Sequence, residues 1–237
     1  MIRAAGVVIP AHDEEDLLPA CLAAVRRAAH VVTGLPVTIV VAADACTDRT
    51  ADLARENGAA VVEIAARSVG AAREAGVREA LSRTRPLDPE QLWLATTDAD
   101  TLVPADWLAR QLGYAAGWDA VVGTVTVTDW AEHRPEIPPL FYGHYATAPG
   151  THSHVHGANL GFRAGGYLAA GGFRPSPTAE DHALVESLTA AGCRVLRTTE
   201  VSVVTSARRR ARAPHGFSHL LSTLALTRPD PVTQPGR

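Results

Sequence analysis

Short apolar runs alternate with amphipathic segments along the first hundred residues. Residues 4–9 (AAGVVI) are β-rich and close on Pro10, which predicts a first strand. Between about residues 14 and 29, Leu17, Leu18, Cys21, Leu22 and Val25 recur at helical spacing, and acids crowd the first turn where the macrodipole favours them. After a turn at residues 33–36, residues 37–43 read as a second buried strand ending in Asp44-Ala45-Cys46-Thr47-Asp48. A helix is expected from Asp48, as its N-cap, to Asn57, with Gly58 as its stop. Residues 59–64 predict a third strand and residues 69–82 a helix rich in Ala and Arg. A fourth apolar run, Leu92-Trp93-Leu94-Ala95, breaks off through Thr96-Thr97 onto Asp98-Ala99-Asp100. Three strand–helix repeats ahead of a further strand predict a parallel sheet with crossover helices. In such sheets ligands bind at the carboxyl ends of the strands, which is where these acids fall.

Past Asp100 the pattern loosens. Pro104 suits the first turn of a helix through Gly113, and residues 120–128 alternate Val with Gly and Thr as an edge-type strand would. Residues 129–150 scatter Pro135, Pro138, Pro139 and Pro149 among Trp130, Phe141, Tyr142 and Tyr145, so a long irregular loop suited to sugars or lipid-like groups is expected. If residues 152–156 are extended, His152, His154 and His156 share one face. Gly157-Ala158-Asn159, Gly161 and Gly165-Gly166 mark close backbone approaches, and Gly171-Gly172-Phe173 opens a turn. Glu180-Asp181 begins a helix through about residue 191, and residues 193–196 and 201–204 read as two final strands. Beyond Ser206 come Arg208, Arg209, Arg210 and Arg212, after which the pattern is lost and the last ten residues are expected to be disordered.

Composition narrows the chemistry. A chain of 237 residues with 46% hydrophobic and 20% charged residues can bury a full core as one large α/β domain. The net charge of −3 gives no reason to expect nucleic acid or an anionic membrane as partner, and no apolar run approaches the roughly 18–20 residues of a membrane span. The N-terminal VVIP run is too short for a signal-peptide core, so a cytoplasmic location is expected. Cys21, Cys46 and Cys193 lie far apart without a C-x-x-C and read as small core hydrophobes. All 22 basic residues are Arg. The absence of Lys excludes a Walker-type P-loop, a Schiff-base enzyme and a lysine base, and leaves phosphate contacts to Arg, backbone N–H groups or a metal. The paired oxygens of Asp98 and Asp100 would suit Mg²⁺ or Mn²⁺, and such a cation would hold a diphosphate.

Five stretches then stand in a fixed order: VVIPAHDEEDLL at residues 7–18, VVAADACTDRTADLA at 40–54, SVGAAREAG at 68–76, Asp98-Ala99-Asp100, and GANLGFRAGGYLAAGGF with Glu180-Asp181 at 157–181. Together they resemble the family 2 glycosyltransferases, inverting nucleotide-sugar-dependent enzymes of the GT-A fold, over about residues 4–205. The resemblance implies a single GT-A domain with a Rossmann-like, mostly parallel central sheet. Residues 1–100 would form its nucleotide-binding half, 101–205 an acceptor and catalytic half, and 206–237 a basic tail.

The resemblance also implies roles. Pro10, Ala11, His12 and Glu14 would edge the nucleotide pocket, and Asp44 would accept from the base. The family usually shows two adjacent Asp there; Ala43 replaces the first, which leaves UDP- against GDP-sugar open. Arg73 would face base or phosphates, Asp98 the ribose, and Asp100 the cation, with His156 or His182 completing its coordination. Asn159 joins the substrate contacts and Arg208 would fold over the diphosphate. Asp181, with Glu180 beside it, matches the catalytic base that takes a proton from an acceptor hydroxyl. The acceptor is unidentified, and contact at a membrane surface stays open. Two competing readings are a nucleotidyltransferase of GT-A-like fold and a non-catalytic nucleotide-sugar-binding protein. Pro10-Ala11-His12-Asp13 in place of a Gly-rich loop argues against the first, and the presence of Asp98, Asp100 and Asp181 against the second.

Overall fold

The computed structural model describes residues 1–145, 148, 150–174 and 179–208. The expected disorder of the C-terminal residues, and Arg209, Arg210 and Arg212, lie outside the described residues. The first four strands are β1 (Ala4–Ala11), β2 (Val37–Asp44), β3 (Ala60–Ile64) and β4 (Leu92–Thr96). They pair in parallel in the order β3-β2-β1-β4. Helices α1 (Leu18–Val31), α2 (Thr50–Glu56) and α3 (Val69–Arg83) make the crossovers. β1 is buried along its whole length because helices cover both faces of the sheet, so it reads as an unbroken apolar run. Its side chains still alternate: Val7 and Ile9 join the α1 layer, while Val8 faces α3. Gly76 lets α3 close on β1, since a Cβ there would lie 2.4 Å from Val8 Cγ1.

The second half contains β5 (Thr101–Leu102), α4 (Trp107–Tyr114), β6 (Ala120–Thr126), α5 (Ile137–His144), β7 (Leu160–Arg163), α6 (Ala164–Ala169), α7 (Glu180–Ala190) and β8 (Val195–Thr205). All eight strands form one sheet in the order β3-β2-β1-β4-β7-β6-β8-β5. Four of its neighbouring pairs are parallel; β7 is antiparallel to both neighbours, and β5 is antiparallel to β8.

Three expectations change here. β6 is an interior strand, not an edge: its Gly and Thr positions mark a register shift between Val122 and Thr124 on the β8 side. Asn159 repairs that shift, its amide donating to Thr124 O at 2.8 Å and Val201 O at 2.9 Å. Gly123 makes room for it, because a Cβ would sit 2.3 Å from Asn159 Nδ2. The supposedly irregular stretch after residue 129 contains α5, whose Pro138 and Pro139 sit in the first turn, where a missing N–H leaves no helical bond unmade. The two final strands are one extended strand, β8, whose pairing with β6 passes directly from Arg197 to Ser202 across that shift. Among the described residues, no helix is long and apolar enough to cross a membrane.

Candidate active site

The carboxyl ends of β1, β2 and β4 open on the same side of the sheet, and the acids collect there. β4 stops at Thr96, whose hydroxyl donates to Gly157 O at 2.6 Å. Asp98-Ala99-Asp100 then turn tightly, with Thr101 N donating to Asp98 O at 3.1 Å. Ala99 is buried, which sends the two flanking carboxylates toward the site. β5 begins at once and pairs with the end of β8, Thr101 opposite Thr205. That pairing delivers Arg208 across the acids: its guanidinium lies 3.1 Å from Asp100 Oδ2 and grips Glu14 with two bonds of 2.6 Å. The Asp100 side chain is 13% exposed. Burial pushes its pKa up to about 6, against the pull of Arg208.

A second cluster lies beside the first. Arg73 on α3 is buried and ion-paired with Asp98 at 2.6 Å and with Glu180 at the start of α7. Burial works against the Arg73 charge, but Asp98, Glu180 and Asp181 outweigh it and raise its pKa. Burial likewise raises Glu180, and Arg73 opposes that shift. Gly157 is needed for this packing, since a Cβ there would meet the Arg73 guanidinium at 2.3 Å. Asp181 turns the other way, accepting from Gly157 N and from His182 N at 2.8 Å each. Its carboxylate stands in the first turn of α7.

The nucleotide side departs further from expectation. Pro10 and Ala11 are buried inside β1, which leaves the rim to His12. The Asp44 carboxylate accepts from three backbone amides, Ala66 at 2.7 Å, Arg67 at 2.8 Å and Ser68 at 2.7 Å, so it orders the turn into α3. Asp48 accepts from Thr50 N at 2.9 Å and Glu15 N at 3.0 Å and so ties the two turns together, while Arg49, without a side-chain capping bond, stands at the α2 N-cap expected of Asp48. Arg73 lies beneath the acids and not at a pocket surface. Asn159 is fully buried, its Oδ1 accepting from Trp107 Nε1 at 2.9 Å, so it supports the sheet and does not reach a substrate.

The three histidines share one face as expected. Their rings stack in a row, His152 to His154 and His154 to His156 at 6.1 Å each, with Tyr145 lying 4.0 Å from His154. Loss of solvent lowers the His156 pKa to about 4, although Asp181 opposes the shift. Among the described residues, the one trio of His, Cys, Asp or Glu whose ligand atoms lie within 4.8 Å of one another is His12, Asp13 and Cys46. Asp98, Asp100 and His156 are not drawn together to that distance. Cys46 is half-buried at this rim, unlike the core residue it resembled in sequence. The pairings of Arg73 with Glu180 and Arg208 with Glu14 were equally invisible in sequence, being 107 and 194 positions apart.

The chain is similar to known proteins along this framework. Residues 6–167 match the model of Glycosyl transferase family 2. A dolichyl-phosphate hexose transferase of Haloferax volcanii is 32% identical over 133 residues, covering 56% of this chain and 52% of that protein. The chain thus spans about half the length of the curated relative it matches. Among solved structures, the mannosyltransferase PcManGT from Pyrobaculum calidifontis in complex with GDP-Man and Mn²⁺ superposes with a TM-score of 0.64 at 20% identity, covering 94% of this chain and 70% of that one. S. aureus TarS 1–349 in complex with UDP-GlcNAc gives 0.65 at 12% identity, covering 90% and 60%. Glucosyl-3-phosphoglycerate synthase from Mycobacterium tuberculosis, with Mn²⁺, UDP and glucosyl-3-phosphoglycerate, gives 0.57 at 19% identity, covering 88% and 73%. These likenesses show the fold, a single α/β domain of GT-A type. The family match extends from β1 through β4 to β7 and takes in the Asp98-Ala99-Asp100 turn, and on that match the chain belongs to Glycosyl transferase family 2.

Proposed function

We propose that the protein transfers a hexosyl group from a UDP- or GDP-linked donor to an acceptor oxygen, with inversion at the anomeric carbon and dependence on a divalent cation. The observation that carries this reading is the convergence of Asp98, Asp100 and Asp181 with two arginines at the carboxyl end of β4. Asp98 and Asp100 would hold Mg²⁺ or Mn²⁺. The fit rests on the Arg208 guanidinium lodged between the Asp100 and Glu14 carboxylates, which marks a place that demands positive charge. Bound there, the cation would supply Lewis-acid stabilisation of the leaving diphosphate.

The remaining steps belong to the protein's own groups. Where the acceptor oxygen carries a proton, as a hydroxyl does, Asp181 takes that proton as the oxygen attacks, and its two backbone N–H donors hold the carboxylate in one orientation. Arg73 keeps Asp98 and Glu180 fixed beneath the sugar site. Arg208 offers the donor's diphosphate a planar, bidentate cation. Asp44 acts on the base through the turn it orders, with His12 at the rim. Residues 101–205 serve as the acceptor and catalytic half.

For the acceptor, the name of the Haloferax relative favours a lipid phosphate. Such an acceptor would be met at a membrane surface by a protein working from the cytoplasm. Purified protein incubated with GDP- or UDP-hexose, Mn²⁺ and either a polyprenyl phosphate or a soluble hydroxyl acceptor tests the reading. NMR of the product should show the inverted anomer. Retention would remove Asp181 from the base role, and pyrophosphate release from a nucleoside triphosphate and sugar phosphate would point to nucleotidyl transfer instead.

A further inference from the structure

The two turns that follow β1 and β2 meet at the rim of the site and bring together an imidazole, a carboxylate and a thiol. We propose that His12, Asp13 and Cys46 form a second metal site, distinct from the Asp98–Asp100 seat and suited to Zn²⁺ or another borderline-soft divalent ion.

The ligand atoms of the three residues lie within 4.8 Å of one another, a span that small side-chain rotations reduce to the edge of a tetrahedral site. The donor set decides the ion. A thiolate with an imidazole and one carboxylate oxygen selects Zn²⁺ or Co²⁺, whereas the all-oxygen Asp98–Asp100 pair selects Mg²⁺ or Mn²⁺.

Each of the first two ligands is already oriented from behind. His12 Nδ1 donates to the Asp44 carbonyl at 2.7 Å, which fixes the ring and leaves Nε2 as the basic nitrogen. That Nε2 lies 3.9 Å from Asp13 Oδ2. The other Asp13 oxygen, Oδ1, accepts from Thr47 N at 2.6 Å and from the Thr47 hydroxyl at 3.2 Å. A backbone carbonyl behind the histidine and an amide behind the carboxylate are the outer-shell partners that metal ligands use.

The backbone points to the same place. Asp13 and Ala45 both sit in the left-handed region at φ 51°, one in each turn. For Ala45, which has no polar side chain to compensate, this conformation carries strain, and it turns the next residue, Cys46, toward Asp13. Three protein ligands leave a fourth position for water or for a heteroatom of a molecule in the adjoining pocket. On binding, the Cys46 S–H bond breaks, sulfur keeps the electron pair for the metal, and the proton passes to solvent. The ion would then tie the β1–α1 turn to the β2–α2 turn.

Titration of the full chain with Co²⁺ tests this directly. The expected result is one thiolate-bound equivalent, marked by a near-ultraviolet thiolate-to-cobalt band and displaced by Zn²⁺. Cys46→Ser should lose the band and His12→Gln should weaken binding, whereas Cys21→Ser, Cys193→Ser and Asp100→Asn should leave it in place. Absence of the band in the parent protein, or its survival in Cys46→Ser, overturns the proposal. Should a variant fail to fold, the parent protein still decides: Zn²⁺ must protect Cys46 from alkylation, mapped by mass spectrometry, and equal labelling with and without Zn²⁺ refutes the site.

Discussion

The guanidinium of Arg208 forks over the carboxylate of Glu14 with two nitrogen–oxygen distances of 2.6 Å, joining residues 194 positions apart. The same guanidinium touches Asp100, so an arginine sits against the acids proposed to seat the cation. The two must compete for Asp100. Arg208→Gln is therefore expected to tighten Mn²⁺ binding to the donor-free protein by about tenfold, the equivalent of one charge-assisted hydrogen bond at roughly 1.5 kcal/mol. The same variant should raise the KM for nucleotide sugar, because the diphosphate loses its bidentate partner. A Mn²⁺ titration followed by electron paramagnetic resonance reads the first effect; unchanged or weaker binding would show that Arg208 does not compete.

Asp181→Asn keeps an oxygen able to accept from Gly157 N, so the fold and donor affinity should survive. With a hydroxyl acceptor, loss of the base should lower kcat by roughly 10²–10⁴-fold. Steady-state transfer assays with calorimetric donor binding separate the two effects, and a fall in donor affinity without a fall in kcat would contradict the assignment.

Arg73 neutralises two acids from within the protein. Arg73→Met would leave Glu180 buried without its cation, a change that costs about 3–5 kcal/mol when one partner of a buried pair is removed. Adding Glu180→Gln should restore much of the loss, since the uncompensated charge is then gone. Urea unfolding of the single and double variants gives the coupling directly.

Acid should weaken the fold through the histidine row. The His156 pKa falls from 6.5 to about 4 on folding, so between these values the unfolded chain binds more protons. Its stabilising contribution is thus complete above about pH 6.5 and is lost progressively as pH falls toward about 4. Burial shifts His152 in the same direction. Asp100 works oppositely in this window, because its raised pKa makes the folded state the better proton binder. His156→Gln should therefore flatten the acid limb of the stability profile measured by denaturant titration from pH 7 to 4, and an unchanged slope would remove His156 as its source.

Sequence patterning read the first hundred residues well because β1, β4 and the second half of β2 are buried. The apolar runs of β1, β2 and β4 and the helical spacing of Leu18, Cys21, Leu22 and Val25 leave little choice of structure. It failed where a local signal has two meanings. Pro138 and Pro139 break helices in the interior but suit a first turn, so α5 was hidden. Gly123 suggested an edge, though it makes space for the Asn159 amide inside the sheet. Polar residues from Arg197 to Glu200 divided the last strand into two in the sequence, and the β6 pairing does break there, passing from Arg197 to Ser202, but the backbone stays extended as one strand, β8. In the site, the acids were legible as a motif. Their counter-charges were not, since spacing along the chain says nothing about which arginine folds back onto which acid. The saturation of Asp44 by three amides was hidden for the same reason: backbone donors carry no sequence signature.

The short antiparallel seam between β5 and β8 also fixes when the site can exist. During synthesis the strands β1 to β4 and their crossover helices leave the ribosome first and can begin to fold as a unit. Asp100 and Glu14 are then present, but Arg208 reaches them only after β8 has docked against β5 and β6. A nascent chain shorter than this would expose an acidic mouth without its arginine, open to cations and poorly disposed toward diphosphate. Completing this cluster of acids with its arginine is therefore a late event in the life of each molecule, set by one strand.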